Sequence, residues 1–474
     1  MTAVEIASRV RAGQLDPVSV TRESLERIAQ RDGEIGAFVK VRADKAIAEA
    51  ELLTAHPDLA ELPLAGVPIA IKDNVSVAGE PMTIGSEATS RAPQLSDHTV
   101  VRRLRAAGAV VVGLTAVPEL CMWGTTDNPA VTTRNPWNPA RTPGGSSGGS
   151  AAAIASGQVV LAHGNDGLGS IRIPAADCGL FGIKPGLGVV PREFGGNGWF
   201  NMSENGPLAT TVADAALMLG VMADDLELAR AGTDSDPGHL RIVVAENFPL
   251  AVGKADRHWA QAQASCSGVL ADLGHRVPHA DLPYPANPAP LLLRWFAGAA
   301  ADADSIAEAG GDLAKLQRRS KTHTALGRAV SRFDLVHDVQ VSTVEQKVLA
   351  YLDRNKADLL LTPMLATPPL KAQRWSAKGW ASNMWANFNY APYAGLFNLL
   401  GWPAMSVPFG VHPVSRTPMA VQFAGRPGSE ALLLKLAAQL EAARPWQRVA
   451  PGYGGARSKN FASLVKLHEQ GEVV

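Results

Sequence analysis

Apolar residues along the chain follow two periods, one typical of helices and one typical of buried strands. Val18, Leu25 and Ile28 share one face of a predicted helix that begins at Asp16 and Pro17, a common helix start. Further helices are predicted within residues 1–60, 97–108, 147–155, 212–222 and 255–273, and after Ser429. Asp97 is expected to start the second of these, and Ser429 is expected to cap the last. Short apolar runs predict strands at residues 64–72, 110–114, 159–162, 240–245 and 358–363. Because helices and strands alternate, we expect an α/β core with a mainly parallel or mixed sheet.

The order of these elements favours one large domain, residues 1–474, that contains a helical insertion. Its predicted parts are N-terminal helices at 1–60, a core at 61–222, a strand and a mainly helical cover at 239–356, a return to the core at 357–445 and a tail at 446–474. The charged stretch 224–238 contains Gly and Pro and is the best candidate for a linker.

The composition is typical of a globular protein and shows no preference for a polyanionic partner. The 474 residues are 46% hydrophobic and carry 44 basic and 44 acidic side chains, which disfavours nucleic acid and anionic membranes as partners. The N-terminus lacks the pattern of a secretory signal, and the longest apolar stretch is far shorter than the roughly 20 residues of a membrane span. Cys121, Cys178 and Cys266 suit a reducing cytosol better than a disulfide framework. We therefore expect a cytoplasmic protein with no nucleic-acid or membrane partner.

Two glycine-rich turns carry the most specific chemical signal. Residues 144–150 read Gly-Gly-Ser-Ser-Gly-Gly-Ser, and residues 164–172 read Gly-Asn-Asp-Gly-Leu-Gly-Ser-Ile-Arg. Glycine lets backbone amides approach an anion, so a serine in such a turn is placed for nucleophilic attack beside an oxyanion hole. A flexible linker has a similar composition, but the alanines after residue 150 predict a helix. The turns match neither a Walker phosphate loop nor a nucleophile elbow.

Lys72 is a candidate general base for these serines. Most lysines are solvated, but Lys72 ends the apolar run 67–71, so we expect partial burial. Burial disfavours the charged form of lysine and lowers its pKa, and a neutral lysine accepts a proton. A lysine and two serines are sufficient for acyl transfer without histidine.

With these features the chain resembles the amidase signature family, serine hydrolases that use a Ser-cisSer-Lys triad. The matching stretches are 66–74, 144–150, 164–174, 179–185, 206–209, 398–404, 406–408 and 418–426. The resemblance implies a large mixed twisted sheet sandwiched by helices, with the signature core at 61–222. It also implies that Ser170 forms the acyl-enzyme, that Ser146 follows a cis peptide bond and relays a proton, and that Lys72 accepts that proton.

The same resemblance implies the supporting groups of the site. The oxyanion hole would consist of the backbone amides of Gly167, Leu168, Gly169 and Ser170. The residues that would support the second turn are Ser147, Asp166 and Arg172. The residues that would line the acyl side of the substrate pocket are Leu120, Cys121 and Met122. We expect no cofactor and no metal, since no His, Cys or acidic cluster has metal-ligand spacing.

Three other candidates have a simpler structural explanation. Cys121 has apolar neighbours and is more typical of a packed residue than of a nucleophile. His163 precedes the second turn, but a structural role is favoured because Lys72 already supplies a base. Most tryptophans between residues 371 and 402 are expected in the core, whereas Trp380 and Trp385 leave open the alternative of an apolar substrate wall.

Several positions depart from the family pattern. They are Asn165 in place of Thr, Leu168 in place of Gly, Gly186 in place of Thr, and Val189 and Thr210 in place of Arg. The Gly-Asn-Asp order is similar to a branch that includes hydrolases of cyclic amides and cyclic dimers. A left-handed leucine would cost roughly 1–2 kcal/mol, so an intact oxyanion hole requires a negative φ at Leu168.

The resemblance supports three hypotheses of function. The first is a stand-alone amidase for a small amide with an apolar or aromatic acyl group, and it is compatible with a homodimer. The second is the glutaminase-type component of a tRNA-dependent amidotransferase complex, which releases ammonia for another protein of that complex. The third is a catalytically weakened amide-binding homologue, which the departures at Leu168, Val189 and Thr210 suggest.

Overall fold

Ten strands form one mixed sheet in the computed structural model, which describes residues 1–193, 197–249 and 253–454. The strands are β1 (Phe38–Val41), β2 (Pro68–Lys72), β3 (Val110–Thr115), β4 (Leu161–Asp166), β5 (Phe181–Lys184), β6 (Glu204–Ala209), β7 (Ile242–Val244), β8 (Leu359–Pro363), β9 (Ala404–Val411) and β10 (Pro418–Gly425). Their order across the sheet is β1-β3-β2-β4-β6-β5-β9-β10-β8-β7. β2 lies parallel to β3 and β4, and β7 lies parallel to β8, whereas the other neighbours are antiparallel. The predicted mixed sheet is confirmed.

The helices of the described residues connect these strands and cover the sheet. They are α1 (Ala3–Arg11), α2 (Pro17–Ile35), α3 (Ala43–Thr54), α4 (Thr99–Ala106), α5 (Gly148–Ala155), α6 (Arg172–Cys178), α7 (Asn197–Asn201), α8 (Val212–Ala223), α9 (Leu226–Ala231), α10 (Arg257–Asp272), α11 (Ala289–Glu308), α12 (Arg318–Arg332), α13 (Asp338–Asn355), α14 (Trp380–Tyr390), α15 (Gly395–Leu399) and α16 (Glu430–Ala443). The short α7 is a left-handed turn, because φ is 57°, 57° and 55° at residues 198–200. Within the described ranges, no helix has the length and apolarity needed to cross a membrane.

Alternate residues of the central strands face opposite layers of helices. Ile69 and Ile71 of β2 pack in an apolar cluster with residues of α8 and α16, whereas Ala70 packs in a second cluster with α5. The small side chains of α5, which are all buried, let this helix lie close to the sheet. A third cluster joins residues of α11 and α13 to the segment around Trp123 and Trp402. The helical insertion therefore covers the region where the candidate active site lies.

Four local predictions were wrong in detail. Residues 1–60 are not helical throughout, because β1 pairs antiparallel with β3. The predicted linker 224–238 contains α9, and Leu228 of α9 is buried. α4 begins at Thr99 with His98 as its cap, since the side chain of Asp97 accepts a hydrogen bond from Ala78 N instead. Ser429 precedes α16, but its hydroxyl donates to a backbone carbonyl and forms no side-chain cap.

Candidate active site

Three adjacent segments bring Lys72, Ser146 and Ser170 together. Lys72 is the last residue of β2, Ser146 lies just before α5, and Ser170 lies between β4 and α6. Because β2 and β4 are parallel neighbours, their carboxyl ends meet at the same edge of the sheet. The three residues are 0%, 1% and 8% exposed, respectively. The predicted triad residues are therefore buried together at this edge of the sheet.

Lys72 contacts both glycine-rich turns through its ammonium nitrogen. Lys72 Nζ donates to Ser146 Oγ at 2.8 Å and to the backbone oxygen of Asn165 at 3.3 Å. It also donates to Oδ1 of the Asn165 side chain. Burial lowers the pKa of Lys72 to about 8, although the nearby Cys121 and Asp166 groups oppose this shift. Asn165 therefore contacts the candidate base directly. From the sequence, this residue was noted only as a departure from the family pattern.

The first turn is bonded directly to the second. The Gly145–Ser146 peptide bond is cis, as the resemblance implied. A Cβ on Gly145 would lie 2.4 Å from the backbone oxygen of Trp123, so no other residue fits without movement. Ser147 N donates to Ser170 O at 3.2 Å, and Ser147 Oγ donates to Asn165 O at 3.3 Å. Ser147 therefore supports the second turn through both its backbone and its side chain.

The amides of the second turn are not equivalent donors. Gly169 N donates to Asp166 Oδ1 at 2.6 Å, so this predicted member of the oxyanion hole is already engaged. Among the described residues, no hydrogen bond is assigned to the amides of Gly167, Leu168 and Ser170. Leu168 does not have a positive φ, so the strain considered for leucine does not arise. These three amides remain as candidate donors to an oxyanion.

Asp166 and Arg172 form a fully buried ion pair behind the second turn. Arg172 Nε and Nη2 each donate to Asp166 at 2.9 Å, and Nη1 donates to Gln422 Oε1 at 2.6 Å. Asn398 Nδ2 donates to Asp166 O at 2.8 Å, and Asn398 Oδ1 accepts a bond from Arg172 at 2.6 Å. Burial raises the pKa of Asp166, but the Arg172 guanidinium outweighs it and holds that pKa well below its usual range. The ionised pair fixes the turn that carries Ser170.

Ser170 lies where two cavities meet. The smaller cavity, of about 350 Å³, has a polar part lined by Asn74, Ser146, Asn165, Ser203, Asp302 and Ser305. The larger cavity, of about 600 Å³, has an apolar wall that includes Met122, Trp123, Leu168, Leu291, Trp295 and Leu396. Ser170, Cys121 and Trp199 line both cavities. A substrate that spans both cavities passes the Ser170 hydroxyl.

The predicted pocket residues Leu120, Cys121 and Met122 surround this junction. Leu120 lines the smaller cavity, Met122 lines the larger one, and Cys121 lines both. Leu120 and Cys121 have left-handed backbones, with φ of 54° and 53°, a strained conformation for residues other than glycine. Burial raises the pKa of Cys121 to about 11, so the thiol stays protonated and is a poor nucleophile.

His163 has a structural environment. His163 Nε2 is paired with Asn205 Oδ1 at 2.9 Å. Burial lowers the pKa of His163 to about 3, which leaves the ring neutral at physiological pH. Lys72 rather than His163 contacts Ser146, so Lys72 is the better candidate base.

The described residues contain one cluster with metal-ligating side chains, formed by Asp256, His258 and His412. Backbone amides of Val414 and Ser415 donate to His412 Nδ1 at 3.2 and 3.1 Å. The proton of the neutral ring therefore lies on Nε2, which donates to Asp256 at 3.4 Å. This tautomer leaves Nε2 without a lone pair for a metal. The cluster is explained as a cap of α10, in which Asp256 also accepts a bond from His258 N.

The aromatic wall of the larger cavity comes from positions that the sequence did not indicate. Trp375 and Trp402 are buried as predicted, but Trp385 is 73% exposed. Trp380 donates to His323 Nδ1 at 3.2 Å within the helical cover. The tryptophans that line the larger cavity are Trp123, Trp199 and Trp295. They come from separate segments, so no local sequence pattern marked them.

Comparison with known proteins establishes the family. A family model described as Amidase matches residues 19–434. AmiB2 of Mycobacterium tuberculosis, provisionally named as an amidase, is 41% identical over 437 residues, which cover 90% of this chain and 92% of that protein. An acylamidase of Rhodococcus erythropolis is 32% identical, with 95% of this chain and 97% of that protein covered. The chain belongs to the amidase signature family, and it is an amide-hydrolysing enzyme.

Solved structures agree with this assignment. The 6-aminohexanoate cyclic dimer hydrolase in complex with its substrate superposes with a TM-score of 0.84 at 28% identity, and the match covers 96% of this chain and 99% of that chain. A glutamyl-tRNA(Gln) amidotransferase subunit from Thermotoga maritima has a TM-score of 0.72 at 25% identity, with 95% and 97% covered. The amidase signature fold predicted from the sequence is confirmed.

Proposed function

We propose that this enzyme hydrolyses a carboxamide through an acyl-enzyme on Ser170, with Ser146 as proton relay and Lys72 as base. The observation that carries this proposal is the buried hydrogen bond from Lys72 Nζ to Ser146 Oγ, beside Ser170 in the same cavity. Because burial lowers the pKa of Lys72 to about 8, a substantial neutral fraction exists near that pH.

The proposed reaction uses these groups in turn. Lys72 accepts the proton of Ser146, and Ser146 accepts that of Ser170 while Ser170 Oγ bonds to the carbonyl carbon. The amides of Gly167, Leu168 and Ser170 stabilise the oxyanion; one such donor contributes about 3 kcal/mol in a typical acyl-transfer enzyme. The relay returns its proton to the leaving nitrogen through Ser146, the C–N bond breaks, and water hydrolyses the ester by the same route.

The larger cavity supports an apolar or aromatic acyl group. Its wall combines Met122, Trp123 and Leu168 with further apolar side chains of the helical cover. A mainly apolar wall gains more from burying an apolar acyl group than from burying the polar side chain of glutamine. This favours a stand-alone amidase over the glutaminase component of a larger complex.

The proposal is tested with the purified full-length chain and the 4-nitroanilide of an apolar acid. Ser170→Ala, Ser146→Ala and Lys72→Ala should each lower kcat by about a thousandfold or more, as losses of catalytic residues do. Ser331→Ala changes an exposed serine outside both cavities and should retain full activity. Full activity of Ser170→Ala overturns the mechanism. Faster hydrolysis of glutamine than of any apolar amide supports the amidotransferase alternative, and binding without turnover supports a weakened homologue.

A further inference from the structure

The smaller cavity contains a carboxyl group that the proposed mechanism does not use. Asp302 of α11 lines this cavity together with Ser146 and Ser170. Trp199 Nε1 donates to Asp302 Oδ2 at 2.6 Å. Burial raises the pKa of Asp302 to about 7, and no cation of the described residues offsets this shift. The site thus contains a carboxyl group that lacks a positive partner.

Trp199 fixes the position of Asp302 relative to the second turn. A Cβ on Gly167 would lie 2.8 Å from Trp199 Cε3, and a Cβ on Gly298 would lie 2.7 Å from Trp199 Cδ1. The indole is therefore packed between the second turn and α11, and both glycines are needed for this contact. Gly298 and Asp302 are one helical turn apart on α11, so they face the same side. The Asp302 carboxyl group consequently lies one indole ring away from the oxyanion donors.

The proposed proton relay determines which part of the substrate approaches Asp302. The leaving nitrogen receives its proton from Ser146, so the leaving group must lie on the Ser146 side of the scissile bond. Ser146 is among the described lining residues of the smaller cavity and not of the larger one. The leaving group therefore occupies the cavity that contains Asp302, and the acyl group occupies the larger, apolar cavity.

We infer that Asp302 determines specificity by binding a cationic nitrogen carried by the leaving group, an inference that rests on the proposed amidase function. The substrate class is an amide between an apolar acid and a small diamine or similar cationic amine. A carboxylate withdrawn from water gains a charge-assisted hydrogen bond from such a cation. A neutral alkyl leaving group offers no such bond, and the carboxyl group then keeps only Trp199 as its donor among the described residues.

Binding to the full-length Ser170→Ala protein tests this inference without turnover. Calorimetry compares N-(4-aminobutyl)hexanamide, which is cationic, with N-pentylhexanamide, its neutral isostere. We expect the cationic amide to bind about tenfold tighter or more, as hydrogen bonds between charged groups do. The isomer N-pentyl-5-aminopentanamide places its cation on the acyl side and should show no such gain.

Two further substitutions, each added to the Ser170→Ala protein, distinguish recognition of the cation from a structural role of the carboxylate. Asp302→Asn keeps an oxygen that accepts the Trp199 hydrogen bond, yet it should abolish the preference for the cationic amide. Asp304→Asn alters an exposed carboxylate on the same helix, paired with Arg328, and should retain the preference. The inference is overturned by equal binding of the two amides, by tighter binding of the acyl-side isomer, or by a preference that survives Asp302→Asn. Failure of the proposed function appears separately, as absence of hydrolysis by the wild-type enzyme.

Discussion

Lys72 acquires its chemistry from the place where β2 ends. The side chain is fully buried, and its ammonium nitrogen contacts Ser146 and Asn165. Burial lowers its pKa to about 8, and the active form in the proposed mechanism is the neutral one. Activity must therefore be lost as pH falls below about 8 and be present above it.

The pH profile of kcat/KM for an uncharged amide tests this role of Lys72. We expect the value to rise by about tenfold per pH unit below pH 8 and then to level off, following the neutral lysine fraction. The Asp302→Asn variant is the control. Burial raises the pKa of Asp302 to about 7, so this group titrates at a pH close to that of Lys72. A midpoint that disappears in Asp302→Asn contradicts the assignment to Lys72.

The triad residues were predicted because the resemblance to the amidase signature family depends on motifs that are local in the sequence. Lys72 ends an apolar run, and Ser146 and Ser170 lie in glycine-rich turns. Asn165 and Asp302 were not predicted as site residues, because their roles depend on contacts that the fold creates. Asp302 is held at the site by a hydrogen bond from Trp199, which lies 103 positions earlier in the chain.

Among the elements, α6 and β10 are joined by the buried guanidinium of Arg172. Removal of this side chain in Arg172→Met would leave Asp166 buried without its partner. We expect the free energy of unfolding to fall by about 3–5 kcal/mol, measured by denaturant titration. Arg328→Met breaks an exposed pair with Asp304 and should cost about 1 kcal/mol or less. An equal loss of unfolding free energy in the two variants would show that the buried ion pair stabilises the protein no more than the exposed pair does.

The second turn also depends on close packing between elements. A Cβ at Gly167 would lie 2.6 Å from Ser203 Oγ and 2.8 Å from Trp199 Cε3, so Gly167→Ala must displace the turn or the indole packed against it. We expect kcat/KM to fall by about a hundredfold, because a shift of about 1 Å in catalytic groups has effects of this size. The control is Gly268→Ala on α10, where the added methyl group meets no atom of another element within 4 Å. This variant should retain full activity. Unchanged activity in Gly167→Ala would contradict an oxyanion role for this turn.

The elements themselves were predictable where apolar patterns were long or strongly periodic. β2, β3 and α8 follow such patterns, and the sequence predicted all three. β1 was missed because its four residues lie among helices, and its pairing with β3 involves residues about 75 positions further on. The partners of each strand could not be derived from local periodicity, since the order β1-β3-β2-β4 depends on long-range packing.

For the whole molecule, the helical cover must be held against the core for the apolar cavity to exist. Arg319 of α12 is fully buried, pairs with Asp127 at 3.2 Å and lies 5.3 Å from the ring of Trp123. We expect Arg319→Met to raise KM for apolar amides more than it lowers kcat, because the Trp123 wall loses its support while the triad remains. Steady-state kinetics measures this difference, with the exposed Arg318→Met as the control. A loss confined to kcat would show that the cover acts on the chemical step instead.

The central claim is that Ser170 is the nucleophile, and covalent labelling tests it most directly. The wild-type enzyme is treated with a fluorophosphonate, and the modified peptide is identified by mass spectrometry. The account predicts one adduct on Ser170, no adduct in Ser170→Ala and much slower labelling in Lys72→Ala. An adduct on Ser146 or Cys121, or normal labelling of Ser170→Ala, would contradict it.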